Sequence, residues 1–179
     1  MPRTSRFFAQ RIHTKPPIEP GEGRPASVLV LGSMHSVESL RKGEYYGHAQ
    51  NAFWRIMMLH LGHGEASAMP YDARCQALRD GGIVLWDVLA SCERKGSLDS
   101  AIREPVVNDI RPLLERYPDI DRILFNGATS RRFFHRDCRA LESELLARGL
   151  RLLTMPSTSP AYASKRFDAK YAEWHAALA

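Results

Sequence analysis

Residues 44–54 read EYYGHAQNAFW. Two flat rings, Tyr45 and Tyr46, stand just ahead of a histidine, His48, and two carboxamides, Gln50 and Asn51. A ring on a loop can stack on a planar ligand, and such stacking is worth roughly 1–3 kcal/mol per base in nucleic-acid sites. A carboxamide oxygen can accept a hydrogen bond from a water and hold it in place, although the neutral amide is too weak a base to deprotonate it. Each residue also has a plainer role. Tyr45 is expected to pack beneath the loop, and Asn51 can cap the helix that follows it.

The elements that must position these groups show in the hydropathy pattern. Ser27–Leu31, Ile83–Leu89, Ile120–Phe125 and Leu150–Thr154 are short apolar runs bounded by turn residues, the mark of strands buried on both faces. Helical spacing covers Asn51–Leu61, Tyr71–Arg79, Val106–Tyr117, Thr129–Arg148 (one helix or a pair) and Ala163–Leu178, with Pro112 expected in a first turn. Alternating strands and helices predict a parallel sheet covered on both faces. Ligands of such sheets bind beyond the carboxyl ends of the strands. The four exits are GSMHS (32–36), WDVLAS (86–91), FNGATS (125–130) and MPSTSP (155–160), all rich in small polar groups. The first can cradle an anion with backbone N–H groups, and the last is a stiff, hydroxyl-bearing loop suited to phosphate contact or to helix capping.

Several classes are excluded by what is missing. GSMHSV carries one glycine where a dinucleotide fingerprint needs three, and no P-loop, HExxH or GxSxG occurs. His60 and His63, at i and i+3, could ligate a metal but are expected on a solvated face. Three cysteines with no CxxC argue against a disulfide framework or a four-thiolate centre and fit a reducing cytoplasm. The 179 residues suit one domain, and no apolar run is long enough to span a membrane. Lys+Arg total 25 against 20 Asp+Glu, a net charge of +5 that favours a polyanionic partner. Residues 1–25, basic at first and then rich in proline and glycine, are expected as an arm outside a folded body at 26–179.

The combination of LVLGSMHSVESLRKGEYYGHAQNAFW (29–54), GIVLWDVLASCERKGSLDSAI (82–102), ILFNG (123–127) and MPSTSPAYA (155–163) resembles the uracil-DNA glycosylase superfamily, most of all its hypoxanthine-DNA (DNA-deoxyinosine) glycosylase branch. The resemblance covers about 27–178. It implies a three-layer α/β/α sandwich around a four-stranded parallel sheet. It implies an enzyme of base excision repair that flips a deaminated base (hypoxanthine, uracil or xanthine) from DNA and hydrolyses its N-glycosidic bond. Because no lysine lies within the motifs proper, Lys42 being only nearby, the enzyme is expected to be monofunctional. Extrusion is needed because stacking hides the sugar carbon.

Roles follow position by position. Asn51 matches the branch's catalytic amide, and His48, with His35, is a candidate proton donor to the leaving base. Gly32, Ser33, Met34, His35 and Ser36 match the motif that lines the base pocket. Tyr46 falls where the superfamily stacks an aromatic on the flipped base, and Asp87 near its base-recognising amide. Ser157, Thr158 and Ser159 match the loop that grips the DNA backbone. Two departures stand out. Ala49 replaces the proline of a GHP segment, and His35 stands where proline is more usual. The resemblance implies no cofactor or metal, no membrane partner, and a cytoplasmic monomer acting on DNA. Two other readings fit some of the same residues: a binding module that holds a nucleotide or single strand without cutting it, and a small-molecule hydrolase using Ser33 or Ser36, which lacks an ordered base–acid pair.

Overall fold

Along each central strand, successive side chains enter two different cores. Val28, Val30, Leu85 and Leu124 join one apolar cluster, and Leu29, Leu31, Val84, Ile123 and Phe125 join the other. A strand with period two, apolar at every position, has no solvent face, so both sides of the sheet must be covered by helices. Each fully buried side chain of this kind contributes about 1.5–3 kcal/mol.

The structure is a computed structural model and describes residues 10–179. Its elements in chain order are β1 (Gln10–His13), β2 (Val28–Gly32), α1 (Val37–Lys42), α2 (Phe53–His60), α3 (Tyr71–Asp80), β3 (Ile83–Asp87), β4 (Leu89–Arg94), β5 (Arg103–Val107), α4 (Arg111–Arg116), β6 (Arg122–Asn126), α5 (Ala128–Asp137), α6 (Arg139–Ala147), β7 (Arg151–Met155) and α7 (Phe167–Leu178). A four-stranded, all-parallel sheet runs in the order β3-β2-β6-β7. Buried residues of α2, α3 and α7 pack on one face and those of α4, α5 and α6 on the other, the expected α/β/α arrangement.

A second, antiparallel sheet in the order β1-β4-β5 was not expected. The run Ile83–Leu89 is not one strand. The parallel sheet ends at Asp87, Val88 donates to the Gly32 carbonyl at 2.8 Å, and the chain continues into β4. The helix expected over Val106–Tyr117 shrinks to α4, because the β-branched pair Val106-Val107 belongs to β5 and the turn before the helix is fixed by Asp109, whose side chain accepts the Arg111 N–H. Thr129–Arg148 is the pair α5 and α6, divided at Cys138.

The boundary expected at residue 25 also moves. Strand β1 pairs along β4 from Gln10↔Arg94 to His13↔Ser91, and Ile18 forms a two-bond bridge with Leu85. Ile18 is buried, and the Tyr117 hydroxyl donates to the Pro20 carbonyl at 2.5 Å. Residues 10–20 are therefore part of the body: β1 extends the second sheet, and Ile18 pairs with the edge of β3, which would otherwise present unpaired backbone groups there. The first nine residues of the expected arm lie outside the described residues.

Candidate active site at the strand exits

The exits of β2, β3, β6 and β7 open on one cavity of about 810 Å³, within the size range of ligand pockets. Every candidate residue lines it: Asn51 and His48; Gly32, Ser33, Met34, His35, Ser36, Tyr46 and Asp87; Ser157, Thr158 and Ser159. They come from four stretches spread over more than a hundred positions, brought together because parallel strands all end on the same side.

Gly32 is the last residue of β2. A Cβ placed on it would lie 2.6 Å from Asp87 Oδ1 and 2.7 Å from the Tyr46 hydroxyl. The missing side chain lets these two oxygens converge on the cavity floor. Asp87 is buried, and burial pushes its carboxyl up to about 7. Tyr46 holds a left-handed backbone (φ 51°), a conformation that costs a non-glycine residue about 1–3 kcal/mol. Its ring stacks on Phe53 with centroids 4.2 Å apart, and its buried hydroxyl, with the Asn126 amide beside it, makes no hydrogen bond of normal geometry to the described residues. A buried, unpaired donor costs stability unless something binds it, so the Tyr46 hydroxyl points to a ligand with a complementary polar edge.

Asn51 stands before α2, half-buried at the cavity wall. Its side-chain oxygen accepts the Phe53 N–H at 2.9 Å, so it bonds the first residue of α2, although the N-cap position itself is Ala52, which has no side-chain cap. That bond takes one of two lone pairs on the Asn51 oxygen and fixes the rotamer. The segment is held further by Ala52, which donates to the Thr158 carbonyl at 3.0 Å. His48 is exposed at the rim, where its Nδ1 accepts the Gln50 N–H at 3.1 Å. Tyr45 packs beneath the loop as expected, buried with its hydroxyl on the Lys15 and Pro16 carbonyls.

In the 32–36 turn, Ser36 caps α1 through its Oγ, Met34 is packed into a core, and Ser33 donates to Asp99 at 2.9 Å. The N–H groups of Ser33, Met34 and His35, three residues that line the cavity, make no hydrogen bond to the described residues. His35 is buried, and burial depresses it to about 3, which keeps the ring neutral and removes it as a source of a proton by acid dissociation.

Thr158 departs from expectation. It is 1% exposed, its N–H donates to Asn126 Oδ1 at 2.9 Å, and its hydroxyl accepts Asn126 Nδ2 at 2.8 Å. A side chain so enclosed clamps the loop instead of meeting a DNA phosphate. Ser157 and Ser159 remain partly open on either side of it.

Asn126 itself is a residue that sequence reasoning left without a role, although an amide at a strand exit before a glycine was the available signal. Thr14 and Lys15 were missed as well. Thr14 donates to Asp87 Oδ2 at 3.1 Å and the Lys15 N–H donates to His35 Nε2 at 3.1 Å. No sequence pattern joins residues so far apart. Lys42 donates to the Gly47 carbonyl at 2.8 Å and so holds the loop. Lys165, at the rim, is ion-paired with Glu173. His60 meets His175 (Nδ1 to Nδ1 3.0 Å) instead of His63, which is exposed, and no group of three metal-ligating side chains occurs among the described residues. The cysteines are free. No helix among the described residues is long and apolar enough to cross a membrane.

The family model of the Uracil DNA glycosylase superfamily matches residues 20–179. The chain belongs to this superfamily. It is 36% identical over 150 residues to the hypoxanthine DNA glycosylase of Methanosarcina acetivorans, covering 83% of this chain and 88% of the relative. It is 36% identical over 103 residues to the protein of the same name from Methanosarcina barkeri, covering 58% of this chain and 65% of that one. Among solved structures, the solution NMR structure of a candidate uracil DNA glycosylase from M. acetivorans superposes with a TM-score of 0.75 at 31% identity, over 94% of this chain and 97% of that one. The superfamily match starts at residue 20, inside the N-terminal segment that the structure places on the body.

Proposed function

We propose that this protein is a monofunctional DNA glycosylase of base excision repair that everts a deaminated base, hypoxanthine foremost with uracil and xanthine as further substrates, and hydrolyses its N-glycosidic bond. The observation that carries the reading is that Asn51, Tyr46, Asp87 and the Ser33–His35 turn line one cavity. The names of the M. acetivorans and M. barkeri relatives support the choice of hypoxanthine.

The chemistry follows from charge. As the glycosidic bond lengthens, its electron pair leaves with the base and the sugar becomes oxocarbenium-like. Donors fixed in advance where negative charge develops lower this barrier, and they lose nothing to reorganisation at the moment of reaction. The N–H groups at 33–35 and the Tyr46 hydroxyl are such donors. The second lone pair of Asn51 holds a water whose oxygen bonds to the anomeric carbon; the water's proton passes to solvent, the base acquires one, and free base and an abasic sugar result. Placement accounts for the role of a neutral amide, since orientation alone is worth several orders of magnitude. Lys165 at the cavity is paired with Glu173, Lys42 is held on the Gly47 carbonyl and Lys15 Nζ on the Ser39 carbonyl, which supports hydrolysis without a lysine–sugar adduct. Ser157 and Ser159, partly open on either side of Thr158, contact the backbone flanking the lesion. The enzyme acts as a cytoplasmic monomer and needs no metal or cofactor.

The test is an oligonucleotide carrying one hypoxanthine, uracil or xanthine, single- or double-stranded, incubated with the protein and then treated with alkali. Breakage only after alkali is the expected result. Breakage without alkali overturns the monofunctional assignment. Binding without abasic-site formation on any base makes the protein a recognition module.

A further inference from the structure

The floor of the cavity is wired to the N-terminal strap through the side chains of His35, Asp87 and Thr14 and the backbone N–H of Lys15. A backbone N–H can only donate, so the bond from Lys15 N to His35 Nε2 (3.1 Å) makes that nitrogen an acceptor and fixes the neutral ring as the Nδ1–H tautomer. The same Nε2 lies 3.2 Å from Asp87 Oδ2. Two acceptors at that distance, both buried, repel unless a proton lies between them, and the only group of the pair left to carry it is the carboxyl. Thr14 donates its hydroxyl to the same Oδ2 at 3.1 Å. Oδ1, the other oxygen, faces the cavity over Gly32 beside the Tyr46 hydroxyl.

We infer that Lys15 is a positioning residue of the site: its backbone N–H fills the His35 ring nitrogen from behind and leaves the shared proton on the Asp87 carboxyl, so that a neutral acid instead of a carboxylate faces the base, while the Thr14 hydroxyl on Oδ2 opposes this and sets how high in pH the proton is held. The inference rests on the reading that Asp87 borders the everted base. Its chemical sense is electrostatic. A carboxylate there would stand beside a base that leaves as an anion, and in a dry site that repulsion opposes the transition state. A neutral carboxyl keeps Oδ1 as an acceptor for a ring N–H of hypoxanthine or uracil without that penalty.

The charged and titratable surroundings agree. Burial is the largest influence on Asp87 and raises it to about 7. Asp99, from the turn after β4, acts in the same direction. Thr14, with the cations Lys15 and Arg94, acts against it. Tyr45, Tyr46 and Cys92 complete the titratable groups in electrostatic contact with Asp87, each pushed up by its own burial and so neutral in this range. The strap is itself anchored, since the Lys15 carbonyl accepts both the Trp86 indole N–H (2.8 Å) and the Tyr45 hydroxyl (3.1 Å).

Two measurements on the full chain test this. The first needs no substrate: the Asp87 carboxyl carbon, assigned with Asp87→Asn, is titrated by NMR, and the His35 ring nitrogens are read in the same samples. Titration of Asp87 near 7, with Nε2 unprotonated below that pH, is expected. Titration below about 5, the ordinary carboxylate range, or a proton on Nε2, overturns the inference whatever the protein cuts. The second is the single-turnover excision rate against pH. The wild type is expected to lose activity on an alkaline limb, about tenfold per unit above the midpoint, and Asp87→Asn to lack that limb. Thr14→Val removes a bond that favours the ionised form, so its limb moves to higher pH, by about one unit. A uniform drop at every pH, with the limb unmoved, reduces Thr14 to a structural role and overturns its part. No excision at any pH by the wild type sinks the glycosylase reading instead, and the NMR titration still decides the protonation.

Discussion

The Asn51 side-chain oxygen takes the Phe53 N–H at 2.9 Å while the same residue lines the cavity wall. Capping and chemistry are therefore not alternatives at this position. The cap fixes the side-chain torsion, and the fixed torsion decides where the second lone pair points. Replacement residues can separate the two contributions, because serine also caps helices well but has a shorter reach.

Asn51→Ser is expected to melt within about 0.5 kcal/mol of wild type, since the cap survives. It is expected to lose excision by at least about a hundredfold, since its oxygen falls short of the water. Asn51→Ala should lose both, with about 1 kcal/mol of stability gone. Thermal melts and single-turnover assays of the two variants decide it. An Asn51→Ser protein cutting at the wild-type rate would remove the amide from the mechanism.

Gly32→Ala places a methyl 2.6 Å from Asp87 Oδ1 and 2.7 Å from the Tyr46 hydroxyl. Neither group is free to retreat, because Asp87 is buried and the Tyr46 ring is stacked on Phe53. A cost of about 1–3 kcal/mol is expected from overpacking, together with loss of excision out of proportion to the stability change. A variant that keeps full activity would show that the cavity floor is not where the base sits.

Tyr46→Phe deletes a buried hydroxyl that makes no hydrogen bond of normal geometry to the described residues. The free protein should be unchanged or more stable by up to about 1 kcal/mol, because nothing is left unsatisfied. Excision should fall about tenfold, if that hydroxyl meets the base in the transition state. Denaturant midpoints and rates measured side by side check the two signs; a loss of stability would mean that the hydroxyl is already bonded in the free protein.

Asp87→Asn has a pH-dependent stability effect. The folded carboxyl is raised to about 7, whereas an unfolded aspartate titrates near 4. The folded state thus holds the proton more tightly. Wild-type stability from this group is full below about 4 and is lost as pH rises to about 7. The variant lacks that loss, so its stability relative to wild type should rise over the window, by at most ~4 kcal/mol for about three units. His35 contributes with the opposite sign: depressed to about 3, it favours folding above about 6.5 and loses that contribution as pH falls. Urea midpoints of both proteins at pH 4.5, 6 and 8 check the difference. A constant difference at all three would mean that Asp87 is ionised throughout.

Local pattern carried a large part of the fold. Val28–Gly32, Arg122–Asn126 and Arg151–Met155 each lie within a residue or two of the expected strands, because a strand with no solvent face leaves a run that only a covered sheet can bury. The misread stretches were those where neighbours outvoted local spacing. Residues 103–107 include Pro105 and sit on a sheet edge, where β4 supplies the partner, and residues 10–20 look like a linker until Ile18 finds the edge of β3.

The sequence by itself determined which residue types stand at the strand exits, and parallel topology then requires those exits to share one edge; the superfamily resemblance added Asn51, Tyr46 and Asp87 to that edge without coordinates. Tertiary structure alone decided that Thr158 turns inward to Asn126, that Thr14 reaches Asp87 across 73 positions, and that Lys15 fills the His35 nitrogen. Periodicity reports which face of an element is buried. The burial of one carboxyl beside one ring nitrogen depends on distances of a few ångströms between segments remote in the chain, and no local pattern encodes those distances.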